Sequence, residues 1–326
     1  MTVRQLIDMV STNVINTAPE YQRHFIWDEV RESELIESIY LGIPVPSLYM
    51  ATNQDATWEV VDGVQRISTL VHFMGEGPLL TKIGKTAPLA IHGLTKLTSF
   101  EGQTFATLPT ALQLQFTLRP LRVTTLNDKS DFNVRYDLFE RLNTGGVELH
   151  PQEIRNCVFR GPFKDLIKRL STNEDFRRVV VLRDNEQQAA EYEECVLRYF
   201  AFIEKYNEFE HYVVQFLNDY MIERNRVPPD QELVTLFGRT MNLLAGQFPD
   251  GIARGRKTTP LNLYEAVAVG TGLAIQRSGG DGGNLPLDRL PGIVSSPGLR
   301  LFTQGGTNSR RMVTGRIEHV RDALLN

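Results

Sequence analysis

The chain has 326 residues, which suits one large domain or two ordinary ones. Hydrophobic residues make up 41% of it and charged residues 23%, a balance typical of a globular protein with a substantial core. The net charge of −4 excludes a uniformly basic coat that binds nucleic acid without specificity, so contact with DNA needs a local basic patch or a partner protein.

Neither cysteine position predicts a disulfide framework. Cys157 and Cys195 are far apart in the sequence and do not form a CxxC pair. The first residues lack the charged and then apolar pattern of a signal peptide, and no apolar run is long enough to span a bilayer. These features predict a cytoplasmic protein that does not associate with membranes.

The first half of the chain mixes helix and strand patterns. A helix is predicted over 33–41, where apolar residues share one side, and the glycine and prolines of 42–46 end it. Two strands are predicted at 48–51 and 58–61, around a polar turn. A helix from Val64 to about Met74 follows, with Ile67, Leu70 and Val71 facing inward, and 121–125 is a further strand candidate.

The second half reads as mostly helical by the same criteria. Helices are predicted at 133–142, 151–159, 163–170, 187–206, 211–223, 231–245, 264–274 and 313–325. Residues 278–298 are rich in glycine and proline and are predicted to form a long surface loop. The expected fold is α+β, with a mixed N-terminal domain and a helical C-terminal domain that meet near Gly161.

The first segment that could carry chemistry lies between Pro19 and Trp27. Pro19 favours an extended chain, so the alternating aromatic residues beyond it share one face, and Gln22 and Arg23 lie beside that face. An arginine is always charged, and its planar fork fits phosphate oxygens. The pattern also suits a structural salt bridge beside a packed aromatic cluster, so these residues leave both interpretations open.

The second segment, 62–66, follows a predicted strand and opens a predicted helix. The first N–H groups of a helix and its positive dipole end attract an anion, and Gln65 and Arg66 add donor groups there. Gly63 permits the sharp turn, and Asp62 is a candidate to hold a metal ion, orient an arginine or position a water. An ordinary turn in which Asp62 only caps the helix is the structural alternative.

Two further segments offer polar groups. Asn143 and Thr144 lie where a predicted helix runs into a pair of glycines, a pattern that suits both a helix C-terminus and a binding loop. Before the last predicted helix, the flexible stretch 305–309 leads to Arg310 and Arg311, which are candidates to contact a phosphate of DNA or of a nucleotide. A solvated loop is the alternative for that stretch.

Several chemistries are excluded by missing motifs. The six histidines are dispersed and form neither an HExxH nor an HxH pair, so no zinc-ligand cluster is predicted. The sequence contains no Walker A motif, no GxSxG elbow and no histidine–asparagine–histidine nuclease motif. The chain is therefore not expected to be a nuclease by itself.

Taken together and in order, these segments resemble the domain of unknown function 262, the N-terminal domain of GmrSD-type and SspE-type restriction proteins. The resemblance is clear over 1–180 and loose beyond it. Four matches carry it: Tyr21-Gln22-Arg23 with Trp27, Asp62-Gly63-x-Gln65-Arg66 with Thr69, Phe139-x-Arg141-x-Asn143-Thr144-Gly145-Gly146, and Leu149-x-x-x-Glu153-Ile154-Arg155.

The resemblance implies a ParB/sulfiredoxin-like nucleotide-binding domain at 1–160 and a helical domain at 161–326. It implies a nucleoside triphosphate (NTP) as substrate or ligand, with Mg²⁺ if the NTP is hydrolysed. The implied catalytic residues are Asp62, Gln65 and Arg66, with Asp62 as the metal ligand. The implied nucleotide-binding residues are Gln22, Arg23, Asp62, Gly63, Gln65, Arg66, Thr69, Asn143 and Thr144. The family motif has a glutamine where this chain has Val64, which removes one amide from the site, and His150 takes a helix N-cap position.

The larger relatives carry a nuclease domain that is not found in this sequence. The resemblance therefore implies an NTP-hydrolysing sensor or regulatory subunit of a prokaryotic, antiviral DNA-defence system, whose effector nuclease acts in trans. The expected partners are DNA, modified or not, and an effector protein that contacts the loop 278–298, while self-association is left open. The alternative is a non-catalytic DNA-binding specificity module or an antitoxin-like module, because a fold does not determine its function.

Overall fold

The computed structural model describes residues 1–16, 27–52, 55–126, 136–137, 140–141, 150–185, 188–255, 257–279 and 282–326. The chain forms two compact units, Met1–Glu148 and Leu149–Asn326. Within the described residues, the first unit combines helices with a four-stranded mixed sheet, and the second is helical. The predicted α+β class is confirmed, whereas the likeness to ParB and sulfiredoxin stays a prediction.

The elements of the first unit alternate between helix and strand. In chain order they are α1 (Val3–Ser11), β1 (Ile15–Asn16), α2 (Glu29–Leu41), β2 (Leu48–Thr52), β3 (Trp58–Asp62), α3 (Val64–Met74), α4 (Pro78–Thr81), α5 (Thr110–Thr117) and β4 (Val123–Leu126). The predictions for β2, β3 and α3 are confirmed. The signals behind them are the alternation of apolar residues, the Asp-Gly turn and the helical period, and each of these acts over a few residues and is therefore visible in the sequence.

The strand order of the sheet is β1-β3-β2-β4. β3 runs antiparallel to β2, β1 runs parallel to β3, and β4 runs parallel to β2. The carboxyl ends of β1 and β3 therefore lie at one edge of the sheet, and those of β2 and β4 lie at the opposite edge. The first of these edges is where β3 ends at Asp62 and the chain enters α3.

The core of the first unit lies between the sheet and the apolar faces of α1, α2 and α3. Ile67, Leu70 and Val71 on α3 are fully buried in this core, as predicted. Burying each of these side chains contributes roughly 1.5–3 kcal/mol to the free energy of folding. The amphipathic helix α1 packs on the same core and begins at a capping box in which Thr2 and Gln5 satisfy each other's backbone N–H groups.

The second unit is built from short and medium helices. They are α6 (Pro151–Val158), α7 (Pro162–Leu170), α8 (Glu174–Val179), α9 (Gln188–Lys205), α10 (Val213–Arg224), α11 (Gln231–Gln247), α12 (Leu261–Tyr264), α13 (Gly270–Arg277), α14 (Leu290–Ser295), α15 (Pro297–Thr303) and α16 (Arg310–Leu325). A π-helical segment, Glu265–Val269, joins α12 to α13. The predicted domain ranges 1–160 and 161–326 stay a prediction, and α6 lies in the second compact unit.

The predicted long loop at 278–298 is wrong beyond Pro286, whereas the described residues 278–279 and 282–286 lie outside helices and strands. Within its described residues the chain forms a 3₁₀ turn (Leu287–Arg289) and α14, and α15 begins at Pro297. Two of the three prolines in this stretch, Pro291 and Pro297, occupy the first turns of these helices. Proline suits that position, because the N–H it lacks has no partner in the first turn of a helix and its fixed φ is helical. The other predicted helices of this unit are confirmed to within three residues at their ends. The predicted helix 133–142 lies mostly outside the described residues.

The long helix α9 runs through the centre of the second unit. Its buried residues lie on more than one side, as in a helix that is covered all round. Among the described helices, none has the length and the apolar character that a membrane crossing requires. The buried residues of α9 include the carboxylate of Glu194, which needs compensation by opposite charge in such a place.

That compensation comes from a buried ion chain, defined here as Arg155, Glu194, Arg198, Glu265 and Arg316. Arg155 on α6 donates to Glu194 over 2.9 Å, and Arg198 donates to Glu194 over 2.6 Å and to Glu265 over 2.6 Å. Arg316 on α16 donates to the second oxygen of Glu265. Charges therefore alternate along a line that ties α6, α9, the π-helical segment and α16 together.

The buried ion chain predicts a specific dependence of stability on pH. Burial raises the pKa of Glu194, but the charges of Arg198 and Arg155 outweigh burial and lower that pKa to about 2. A glutamate in the unfolded chain has a pKa of about 4.3. The Glu194 carboxylate therefore stabilises the fold above that value, and its contribution is lost as pH falls toward 2. We expect Glu194→Gln to flatten the dependence of the unfolding free energy on pH in this window, measured by urea unfolding at several pH values. Glu208→Gln, at an exposed carboxylate, serves as the control; an equal slope in both variants would contradict the assignment.

Candidate functional site

The chain turns sharply between β3 and α3. Gly63 has a φ of +107°, in the region that favours glycine, and a Cβ at this position would collide with the side chain of Leu48. The first N–H groups of α3 have no acceptor within the helix, and no side chain of a described residue caps them. The turn thus presents a helix N-terminus directly after Asp62.

Asp62 and Arg66 form an ion pair across this turn. Nη2 of Arg66 donates to Oδ2 of Asp62 over 2.7 Å, and the two side chains are 12% and 40% exposed for Arg66 and Asp62 respectively. Of the sequence alternatives for Asp62, the structure therefore shows the one in which the carboxylate orients an arginine. It does not show Asp62 as a cap of α3, because the N-cap residue is Gly63 and lacks a side-chain cap.

Arg66 has further acceptors at the start of β2. Its Nη1 donates to the carbonyl oxygens of Pro46 over 2.5 Å and Ser47 over 3.1 Å. One guanidinium group therefore connects the end of β3, the first turn of α3 and the segment that enters β2. With these acceptors and little exposure, Arg66 fits a residue that positions Asp62 better than one that reaches out to a ligand.

The other residues of the motif divide between surface and core. The side chain of Gln65 is half-buried, and its Oε1 accepts from the backbone N–H of Trp27 over 3.2 Å. Thr69 is fully buried, and its hydroxyl donates to the carbonyl of Gln65 over 2.9 Å. Val64 lies in the hydrophobic core, so position 64 contributes packing in this chain. Asp62 and Gln65 are thus the two motif side chains that lie near solvent beside the helix N-terminus.

Four of the residues expected to bind nucleotide, Gln22, Arg23, Asn143 and Thr144, lie outside the described residues. The structure does describe the strands that precede these residues in the sequence. β1 ends at the Asp62 edge of the sheet, because it is parallel to β3, and the backbone N–H of Trp27 donates to Gln65. β4 ends at the opposite edge, because it is parallel to β2.

Arg310 and Arg311, the expected DNA contacts, are exposed at the start of α16 in the second unit. The stretch before them is a loop, as predicted, and Ser309 caps α16 by accepting from the N–H of Met312. His150 is confirmed as an N-cap, because its Nδ1 accepts from the N–H of Gln152 and Glu153 completes the capping box.

Asp62 is the metal ligand that the family resemblance implies, and the described residues place no cluster of further ligands beside it. They contain no group of three or more His, Cys, Asp or Glu side chains arranged to hold a metal ion. A magnesium ion bound with a nucleotide needs only one or two carboxylates, because phosphate oxygens and waters complete its shell. The half-exposed carboxylate of Asp62 fits this requirement.

The sequence did not reveal how α2 is held against α3. His72 on α3 and Glu32 on α2 are both buried, with Nδ1 of the histidine 2.6 Å from Oε2 of the glutamate. Nε2 of His72 lies 3.1 Å from the carbonyl of Ala87. A histidine within a helix carries no signal of a distant partner, so only the folded structure shows that this pair holds the first turn of α2 against the last turn of α3.

A cavity of about 780 Å³ lies in the second unit between α9, α11 and α13. Its lining includes the acidic residues Glu204, Asp230 and Glu232, with Arg239 as the one positive side chain. Asp230 caps α11, and Glu204 accepts from Tyr220 and Arg224. An excess of negative charge repels a triphosphate, so the turn at Asp62 is the better candidate for a nucleotide.

Comparison with known proteins gives a match over the first unit and α6. Residues 3–160 match the family described as the GmrSD restriction endonuclease, N-terminal domain. The match confirms the resemblance that the motifs indicate. Neither the curated proteins nor the solved structures contain a match to this chain.

Proposed function

Because residues 3–160 belong to the GmrSD restriction endonuclease N-terminal domain family, we propose that this restriction-related chain binds and hydrolyses a nucleoside triphosphate at the start of α3. In this proposal the chain is a sensor or regulatory subunit of a DNA-defence system, and the nuclease that acts on DNA is a separate effector protein. The observation that supports it most is the half-exposed carboxylate of Asp62, fixed by Arg66 beside a helix N-terminus that no side chain of a described residue caps.

The binding step follows from the charges at this turn. The N–H groups at the start of α3 and the positive end of its dipole attract phosphate oxygens. A carboxylate at the same place would repel a bare triphosphate, but it attracts Mg²⁺, which neutralises the phosphate charge when it is bound. Asp62 and the helix N-terminus are therefore complementary to a magnesium–nucleotide complex rather than to the free anion.

The remaining roles follow from position. Arg66 keeps Asp62 in place, and Gln65 lies between the helix N-terminus and Trp27. We assign Gln22, Arg23, Asn143 and Thr144 to the phosphates and the nucleotide, as the family resemblance implies. Thr69 supports the first turn of α3 through the carbonyl of Gln65 instead of facing the ligand.

Hydrolysis requires positioning and charge neutralisation more than covalent chemistry. Water attacks the γ-phosphorus, the bond to the oxygen between the β- and γ-phosphorus atoms breaks, and a nucleoside diphosphate and phosphate leave. Asp62 is the described group that can accept a hydrogen bond from this water, and the proton passes to bulk solvent or to phosphate. Arg66 limits the movement of that carboxylate.

The alternative is a non-catalytic module that recognises DNA or inhibits a partner. The hydrogen bonds of Arg66 to backbone carbonyls favour a structural role for that residue and fit this alternative as well. A direct measurement of nucleotide binding separates the two functions.

We expect Asp62→Asn to weaken binding of the magnesium nucleotide about 10-fold or more, because a lost charge-assisted contact costs about 1.5–3 kcal/mol. Calorimetric titration with ATP, GTP, CTP and UTP, each with and without Mg²⁺, measures this, and phosphate release is followed in parallel. Asp8→Asn is a matched control, because Asp8 also pairs with an arginine four positions away, Arg4, on an exposed helix surface. Wild-type protein that binds none of the four nucleotides would favour the non-catalytic module, and equal affinities of both variants would remove Asp62 from the site.

A further inference from the structure

Two segments of the second unit carry positive residues and no acidic residue. Residues 251–264 contain Arg254, Arg256 and Lys257, and residues 289–317 contain five arginines. The net charge of the whole chain is −4, so these segments stand out against an acidic background. Such a local concentration of positive charge attracts a polyanion even when the whole protein is acidic.

The two segments pack against each other. Arg254 donates from Nη1 to the hydroxyl of Thr303 over 2.8 Å and from Nε to the carbonyl of Val294. Asn262 donates to the carbonyl of Thr303 over 2.8 Å. The acid-free segments therefore meet at the carboxyl end of α15, and their charges add up at one place.

Arg254 and Arg300 lack acidic partners at this place. No carboxylate of a described residue pairs with either guanidinium group, and Nη2 of Arg254 is buried without a hydrogen-bond partner among the described residues. Burial and the nearby charge of Arg300 lower the pKa of Arg254. Two neighbouring arginines without a carboxylate between them repel each other, and a bound anion would neutralise their charge and relieve this repulsion.

The hairpin of α15 and α16 brings two more arginines to the same end. Gly298 lies against the ring of His319, and Gly315 lies against the ring of Phe302, so the two helices run antiparallel. The start of α16, with the exposed Arg310 and Arg311, is therefore next to the end of α15. The start of α16 is anchored by the backbone N–H of Arg310, which donates to the carbonyl of Glu210 over 3.0 Å.

A buried arginine, Arg316, holds the loop between α15 and α16 in place. Its Nη1 donates to the carbonyl of Thr307 over 2.6 Å, while its Nη2 donates to Glu265 in the buried ion chain. A Cβ on Gly305 or Gly306 would meet nothing within 4 Å, so open space adjoins the loop on that side. The arginines thus flank an accessible loop whose position is fixed before any ligand binds, which lowers the entropy cost of binding.

We propose that this basic face, defined by the exposed Arg300, Arg310 and Arg311 together with the part-buried Arg254, which adds positive charge but makes no phosphate contact itself, binds the phosphate backbone of double-stranded DNA. Arginine presents a planar fork that bonds two phosphate oxygens, and contacts of this kind position a protein on DNA without reading its sequence. The basic face includes Arg310 and Arg311, which the sequence analysis proposed as DNA contacts, and adds Arg254 and Arg300. It does not depend on nucleotide binding at Asp62.

The apolar content of the basic face favours nucleic acid over an anionic membrane. Leu301 is 72% exposed, but its neighbour Leu299 is fully buried and Phe302 packs against α16. A membrane-surface helix inserts a continuous apolar stripe into the lipid, and a single leucine does not provide one. A rigid basic surface with one apolar side chain suits a phosphate backbone better.

The test compares variants of the full chain in their binding to a fluorescently labelled, random-sequence DNA duplex. We expect the triple variant Arg300→Gln, Arg310→Gln, Arg311→Gln to weaken binding about 10- to 100-fold at low salt. The slope of log affinity against log salt should also decrease by about 2–3, because each lost phosphate contact removes about one unit. The matched control, Arg4→Gln, Arg169→Gln, Arg226→Gln, removes the same charge from exposed positions elsewhere and should bind like wild type.

Three results would overturn the proposal. The first is equal binding by the triple variant and its control, and the second is no binding of the duplex by wild type at low salt. The third is binding to phosphatidylserine-containing vesicles that the duplex fails to displace, which would assign the basic face to lipid. Nucleotide titration of the triple variant should be unchanged. A loss of DNA binding without a loss of nucleotide binding therefore separates this face from the site at Asp62.

Discussion

Replacing Glu265 by glutamine is expected to lower the free energy of unfolding by about 3–5 kcal/mol, because breaking a buried ion pair leaves an uncompensated charge. Glu265 is buried, and its two oxygens accept from Arg198 and Arg316. Arg198 keeps Glu194 as a partner in the variant, whereas Arg316 loses its carboxylate. Domains of this kind have about 5–15 kcal/mol of total stability, so the loss would be a large part of it.

Urea unfolding of wild type and variant measures this effect. The control is Glu223→Gln, because Glu223 pairs with Lys205 at the surface, where an ion pair contributes about 0–1 kcal/mol. A double variant, Glu265→Leu with Arg316→Leu, should lose less than Glu265→Gln, since it removes both charges together. A Glu265→Gln protein that is as stable as the control would show that the buried ion chain does not support the fold.

Arg66→Ala is expected to cost about 2–4 kcal/mol of unfolding free energy, because it removes charged hydrogen bonds to one carboxylate and two carbonyls. Arg66 contacts Asp62, Pro46 and Ser47. Nucleotide affinity of the folded protein should also fall, about 10-fold or more, since Asp62 loses the group that orients it. Arg66→Lys should recover only part of both losses, because a point charge cannot make all three contacts.

Thermal melts and calorimetric titration of the same samples separate the two effects of Arg66. Arg4→Ala is the control, because Arg4 pairs with Asp8 on an exposed helix surface and should cost little. If Arg66→Ala lowers stability but leaves affinity unchanged in the folded protein, Arg66 is structural and does not belong to the site. If neither stability nor affinity changes, the contacts of Arg66 with Pro46 and Ser47 do not stabilise the fold, and the proposal that Arg66 positions Asp62 is wrong.

Local signals in the sequence were sufficient for the strand, turn and helix that form the candidate site. The apolar alternation before Asp62, the need for positive φ at Gly63 and the helical period after Val64 each act over a few residues, and all three agree. The family resemblance came from the same short motifs. The loop prediction at 278–298 failed because a local signal was misread. Proline interrupts the interior of a helix, but it is favoured in the first turn, where it marks the start of a helix.

The partners of the charged residues were decided only by the tertiary structure. Nothing near Arg66 in the sequence indicates the carbonyls of Pro46 and Ser47, and nothing near Glu194 indicates Arg155. Hydrogen bonds and ion pairs depend on distances that arise when segments far apart in sequence pack together, whereas helical and strand periods depend on neighbours. The same reason applies to the basic face, where the charges were visible in the sequence but the packing of Arg254 against Thr303 was not.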